Sequence, residues 1–299
     1  MKTKEAIDVF LEAKIGVRAS TTIQWHKGNL QRFSSFIGEN QRVESIDIRQ
    51  LRQWRIELNQ RNLSSWSVHA YLRTVRHFFR WLEEEEMLSK NPAKRLKLPP
   101  LPKTPRKGIP DADRDAMLSV RENNIRDFAI LMFVATTGCR KGGVETLTLS
   151  NLDVDLMEAL IIEKGEKSRT VFFNSKVADA LRNWLAIRPS PSVDEVFVQI
   201  TGKKLTSTGI YQIFKRAARD AGVEKSWSPH QWRHAFARNF LRNGGDIGIL
   251  SQILGHASIH VTLLHYGGLE NKDLQKAHLK YAPIRAIQPN DLQKSTENK

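Results

Sequence analysis

Apolar residues in the first hundred positions return at helical intervals. Across 21–37, Ile23, Trp25, Leu30, Phe33, Phe36 and Ile37 fall near one face, and Thr21 or Thr22 stands where a cap belongs. The stretch 66–82 follows the cap signal Ser64-Ser65 and aligns Val68, Leu72, Val75, Phe79 and Leu82. Its opposite stripe is Arg73, Arg76, His77 and Arg80. Such a helix packs on its neighbours by one side and offers cations on the other. Phe78, Phe79 and Trp81 read as core rather than as platforms for stacked bases. Glu83-Glu84-Glu85-Glu86 reads as a solvated helix end.

Further along, the pattern changes. Residues 126–136 are apolar nearly all round, as in a buried helix. Ala159–Glu163 and Thr170–Phe173 read as strands joined by a short turn at Gly165-Glu166-Lys167. Helical patterns follow at 175–187, 207–221, 230–243, 246–254 and 270–282, with Gly244-Gly245 and Gly255 at C-cap positions. The predicted class is mostly α with a small antiparallel β-sheet (α+β), not a doubly wound sheet.

Charge sharpens this division. The 299 residues carry 47 Lys/Arg against 32 Asp/Glu, a formal charge of +15. Residues 1–108 hold 21 of those bases and only 11 of the acids. An excess so placed suggests a polyanionic partner, nucleic acid before membrane. A plain solvated basic surface is the alternative. Between the two halves, four prolines fall within residues 99–105, beside Lys103, Arg106 and Lys107. No helix runs through such a segment, and it reads as a stiff basic linker. The expected organisation is a helical domain at 1–100, a linker at 101–108, a second domain at 109–285 and a polar tail at 286–299. One cysteine, Cys139, excludes an internal disulfide and a Cys-rich zinc site, and fits a reducing cytoplasm. The opening residues lack the apolar core of a signal peptide, and no run approaches the ~18 apolar residues of a membrane span.

Four clusters bear chemistry. Arg140 follows the buried helix in Thr137-Gly138-Cys139-Arg140; a charge that cannot be shed there needs an anion, from a ligand or from a structural salt bridge. Lys164 opens Lys164-Gly165-Glu166-Lys167-Ser168-Arg169, a basic hairpin tip that suits a groove or phosphate, or merely solubility. In His230-Gln231-Trp232-Arg233-His234, His230 and Arg233 share a helix face: one trades protons near neutrality, the other grips two phosphate oxygens. His234, nearly on that face, more often serves structure. Leu254-Gly255-His256 is followed ten residues later by Tyr266. His256 and His260 have the spacing of a zinc pair but lack the adjoining Glu of a metalloprotease. Asp111, Asp113, Asp115 and Glu122 mimic a calcium loop, but Ala116 stands where glycine is required, and the segment reads as a helix start. Asp153 and Asp155 suggest half a metal nuclease site but fit better in the turn before the first strand.

Two arginines, a lysine, two histidines and a tyrosine, without metal ligands, suit one reaction: cutting a phosphodiester through a covalent tyrosine. Fixed cations neutralise the charge that builds on phosphorus oxygens, the phenol needs a proton acceptor, and the leaving oxygen needs an acid. With these residues and spacings the chain resembles a tyrosine recombinase of the phage-integrase family, in size and layout like its Xer-type members, over nearly its whole length. The resemblance implies a helical core-binding domain and a catalytic domain, with strands cut and rejoined through a 3′-phosphotyrosine without metal, cofactor or ATP. It implies Arg140 and Arg233 as the phosphate clamp, Lys164 as general acid to the 5′ oxygen, and His230 as manager of the nucleophile's proton. His256 would hydrogen-bond the scissile phosphate, and Tyr266 would be the nucleophile. Arg73, Arg76, Arg80, Lys103, Arg106, Lys107, Lys167 and Arg169 are the expected contacts to double-stranded DNA. The segment 270–282, with Leu274, Ala277, Leu279 and Tyr281, would dock on a neighbouring protomer in a tetramer on DNA.

Two departures stand out. Gly143 occupies the place, three after Arg140, where the family usually has an acid, and Glu145 would point elsewhere. The His-to-Tyr interval is ten rather than nine, with His265 at the usual place. A non-catalytic DNA-binding relative is the alternative that Gly143 supports, and a metal-dependent nuclease is a third reading.

Overall fold

In the computed structural model of the chain, residues 1–102, 108–163, 167–189 and 193–266 are described, with Gln275, His278 and Leu279. The chain divides into two units, Met1–Thr104 and Pro105–Lys299.

The first unit holds α1 (Thr3–Glu12), α2 (Ser20–Ile37), α3 (Ile48–Gln60) and α4 (Ser65–Glu84). Ser64 caps α4 by accepting from the Ser67 amide at 3.2 Å, and Asp47 with Gln50 forms a capping box on α3. Val68, Leu72, Val75, Phe79 and Leu82 are buried, while Arg73, Arg76 and Arg80 are exposed. Phe78 and Trp81 are core too: Phe10 of α1 meets them edge-on at 5.6 and 5.3 Å. A buried hydrogen bond from Asn29 Nδ2 to Thr74 Oγ1, 3.2 Å, joins α2 to α4. Of the glutamate run, Glu83 accepts from the Asn91 amide at 3.3 Å, and the following three are exposed.

Two expectations for α2 are corrected. Its N-cap is Ala19, so Thr21 and Thr22 lie inside the first turn; the Ala19 carbonyl takes the amides of Thr22 and Ile23 without any side-chain cap. Trp25 is 40% exposed rather than core. The buried positions are Asn29, Leu30, Phe33 and Ser34. Trp25 lies one turn before Asn29, at the edge of that stripe, where the Arg73 guanidinium stands 6.0 Å from its ring.

The second unit is built on α6 (Ile125–Thr137), whose Ala129, Ile130, Leu131, Phe133 and Val134 are fully buried. Against it pack α8 (Ser175–Ile187) and α10 (Pro229–Arg242). Also present are α5 (Asp111–Ser119), α7 (Lys141–Thr146), α9 (Ser207–Asp220), α11 (Ile247–Leu254) and α12 (Ile259–Tyr266). A three-stranded antiparallel sheet runs in the order β1 (Leu152–Asp153), β2 (Glu158–Glu163), β3 (Lys167–Phe172). Ala159, Ile161 and Val171 face the core, whereas Leu160, Ile162 and Phe172 are exposed.

The second strand of the hairpin begins three residues earlier than its apolar pattern suggests. Ladder pairing of Ser168 with Ile162 and Arg169 with Ile161 overrides side-chain preference. Asp153 is itself paired, as β1, and its Oδ1 takes the amides of Asp155 and Leu156 to form the turn that follows. The calcium-like segment is α5 and the turn after it: Asp111 and Asp115 pair with Arg114, and Asp113 accepts from Trp227 Nε1 at 2.6 Å.

Candidate active site

The site begins where α6 ends. Gly138 is the C-cap, in the left-handed region at φ +61°. A Cβ there would also lie 2.6 Å from Phe236 Cδ1, so both backbone and space require glycine. The turn delivers part-buried Arg140 as N-cap of α7. Thr137 Oγ1 donates to Phe133 O at 2.6 Å and accepts from the Cys139 amide at 3.2 Å, fixing the intervening backbone.

From α10 comes Arg233, only 1% exposed. Its Nη1 donates to Gly138 O at 2.8 Å and its Nη2 to Leu254 O at 2.6 Å. Both carbonyls lie at helix C-termini, of α6 and α11, where the dipoles favour a cation. Nη2 also stands 3.2 Å from His256 Nε2. His256 follows Gly255, the left-handed C-cap of α11 at φ +62°. Its Nδ1 is 2.7 Å from Oγ1 of Thr262, a fully buried residue of α12.

Tyr266 closes the group. Its ring is parallel to that of His256, within 3°, with centroids 6.5 Å apart. It is 7% exposed and packs with Ala237, Leu250 and Leu254. Buried His234 lies 5.3 Å from the Tyr266 ring and 4.6 Å from that of exposed His230. The fold thus assembles His230, His234, Arg233, His256 and Tyr266 contiguously and brings the Arg140 turn to the same guanidinium. Reading the sequence missed Thr262, although it stands i, i+4 from Tyr266, and undervalued His234.

Arg169, expected on nucleic acid, has an internal partner. Its Nη1 donates to Ile253 O, and its Cδ lies 2.6 Å from where a Cβ on Gly255 would stand. It braces β3 against the end of α11. Gly143 is buried, facing Ile161 and Cys139, and Glu145 instead accepts from Ser207 Oγ. Lys103, Arg106, Lys107 and Lys164 lie outside the described residues, as do the side chains of Lys167 and His265, the tail from 286 and most of 270–282. Among the described residues, no three His, Cys, Asp or Glu side chains gather as metal ligands, and no helix is long and apolar enough to cross a membrane.

In the first unit, a cavity of about 930 Å³ lies between α2 and α4, lined by Thr21, Trp25, His26, Arg73, Arg76 and Arg80 among others. His77 also lines it; burial, then Lys14, His26, Arg80 and Arg18, push its pKa down to about 4. His26 is lowered as well, by burial and then by Lys14, Arg73 and Arg18. Burial first, and then the cations of the groove, hold these imidazoles neutral.

Comparison with known proteins accounts for both units. Residues 111–272 match the phage integrase family, and 7–86 match the phage integrase N-terminal SAM-like domain. Tyrosine recombinase XerC of Actinobacillus pleuropneumoniae serotype 7 (strain AP76) is 30% identical over 245 residues, covering 80% of this chain and 78% of the relative. Tyrosine recombinase XerC of Leptospira interrogans (serovar Lai, strain 56601) is 27% identical over 277 residues, covering 89% and 88%. In fold, the chain is similar to the Tn1549 transposon integrase solved with a circular intermediate DNA, with TM-score 0.75, 17% identity and coverage of 94% and 100%. The chain belongs to the phage integrase family. It is an enzyme, a site-specific tyrosine recombinase.

Proposed function

We propose that the Arg–His–Tyr cluster cuts and rejoins double-stranded DNA, with Tyr266 as nucleophile. The phenol oxygen attacks the scissile phosphorus, the P–O5′ bond breaks, and a 3′-phosphotyrosine forms. Arg140 and Arg233 neutralise the non-bridging oxygens as charge develops. His230 receives the phenol proton, Lys164 protonates the departing 5′ oxygen, and His256 hydrogen-bonds the phosphate. The covalent link conserves the bond energy, so a 5′ hydroxyl from another strand reseals it without metal or ATP. The basic groove of the first unit holds the duplex by its phosphates, through Arg73, Arg76 and Arg80. Four copies act together on DNA, the segment 270–282 of each docking on a neighbour.

One observation carries this reading: the buried Arg233 guanidinium sits 3.2 Å from His256, whose ring lies parallel to that of Tyr266. A buried cation, an imidazole within hydrogen-bond distance of it and a phenol parallel to that imidazole are groups that suit phosphate transfer. A nicked suicide substrate carrying the cognate site should trap a covalent adduct, located on Tyr266 by mass spectrometry. The same adduct with Tyr266→Phe would remove the assignment. DNA cleavage that survives EDTA is expected, and its loss would favour a metal-dependent nuclease.

A further inference from the structure

Thr262 has no part in the chemistry just described, yet it is fully buried and touches the phosphate-facing histidine. The hydrogen-bond partners of His256 determine its tautomer. A guanidinium only donates, so Nε2, 3.2 Å from Arg233 Nη2, must accept. The proton of a neutral imidazole then sits on Nδ1, 2.7 Å from Thr262 Oγ1, and the hydroxyl oxygen accepts it. Thr262 stands one helical turn before Tyr266 on α12. The same short helix therefore carries the nucleophile and the group that fixes the histidine.

We propose that Thr262 is a positioning residue that holds His256 as the Nδ1–H tautomer and locks its ring in register with Tyr266. The inference rests on the assignment of Tyr266 and His256 given above. It adds a consequence. Nδ1 keeps its partner on Thr262 whichever group the Nε2 edge meets, so the ring need not turn when that edge passes from Arg233 to a phosphate. Seating α12, and with it Tyr266, is then the same event as aiming Nε2. Without the hydroxyl oxygen the ring is free to adopt the other tautomer or to rotate. Misplacement of about 1 Å is enough to slow such a step roughly 100-fold.

The test combines kinetics with a tautomer measurement on the full chain. Thr262→Val keeps the shape and removes the acceptor; single-turnover adduct formation on the nicked substrate should fall roughly 10- to 100-fold, with DNA affinity within about threefold of wild type. Thr262→Ser restores the oxygen and should recover most of the rate. In the ¹⁵N-histidine spectrum of the wild-type protein, His256 should show a protonated Nδ1 and an unprotonated Nε2. That spectrum needs no variant, so it decides the matter even if Thr262→Val folds poorly. An Nε2–H tautomer in the wild type, a Val variant as fast as wild type, or a Ser variant as slow as Val would each overturn the role of Thr262. Tyr266→Phe separates the two levels. If it abolishes the adduct while Thr262→Val cleaves normally, only Thr262 is misassigned; if the adduct persists with Tyr266→Phe, the assignment beneath it fails.

Discussion

Replacing Gly143 by alanine would put a methyl carbon 2.4 Å from Ile161 Cγ2 and 2.7 Å from Cys139 Sγ. Neither neighbour is the loose end of a flexible chain. Ile161 is a fully buried β2 residue, and Cys139 is buried in the turn that presents Arg140. Overpacking of this kind costs about 1–3 kcal/mol. The gain in helix propensity from glycine to alanine is at most about 1 kcal/mol, and less in a first turn. The expected net effect is a loss of about 1–2 kcal/mol. Gly142 is the internal control: it shares α7, and a Cβ there meets nothing within 4 Å. Gly142→Ala should be neutral or stabilising by a few tenths of a kcal/mol, so the two variants should differ by about 2 kcal/mol. Pulsed thiol labelling reads this directly, because Cys139 is the single cysteine and lies in the second unit. Adding Ile161→Ala to Gly143→Ala should recover at least about 1 kcal/mol relative to the sum of the single changes. Equal stability of the two alanine variants would refute the argument. It would also reopen position 143 to the acid that the resemblance leads one to expect three residues after Arg140, since a site this tight leaves no room for one.

Three further outcomes are expected. Because the folded-state pKa of His77 lies near 4, below the ordinary 6.5, the unfolded chain binds the extra proton between those values. Stability of the first unit is therefore fully present above about pH 6.5 and declines toward pH 4, by no more than about 2 kcal/mol after allowance for solvent screening. Urea midpoints across that window should show the decline, and His77→Gln should flatten it; a flat wild-type profile counts against the buried neutral imidazole. Arg76→Gln should lower the salt dependence of DNA binding by about one counterion, whereas Arg169→Gln should leave that slope unchanged while weakening the β3–α11 brace. An equal change of slope for both would return Arg169 to the DNA. Arg233→Ala should cost stability as well as cleavage, since it strands two backbone carbonyls at about 1–3 kcal/mol each, whereas Arg140→Ala should lose cleavage with less effect on folding. Comparing adduct yield with melting temperature for the two variants separates these roles.

The helices that periodicity reveals are those whose own sequence carries a stripe. The α4 pattern and the limits of α8 at 175–187 were legible because caps and apolar spacing agree. Harder to see are α7, six residues with two glycines, and α12, where apolar and polar positions barely separate around the helix. Both are held by neighbours rather than by propensity. Trp25 was misjudged because one helical turn at the edge of a stripe decides between core and groove. The chemical residue types were readable from spacing. Their geometry was not, because Thr262 acts through a ring six residues earlier and Arg169 through a backbone carbonyl 84 residues later.

That last difficulty reflects how the site is built. Arg233 is held by the carbonyls of residues 138 and 254, and a carbonyl has no identity in a sequence. What sets those oxygens in place is two helices ending in left-handed glycines, Gly138 and Gly255, each packed too closely for a side chain. The cation is thereby fixed and buried before any phosphate arrives. Stabilising charge in a transition state is cheapest when the stabilising group need not move, and here the immobility comes from backbone geometry. Substituting either glycine should thus injure catalysis through Arg233 or His256 without touching a reacting group. Gly138 is the sharper case, because a Cβ there meets the ring of Phe236, on the helix that carries Arg233.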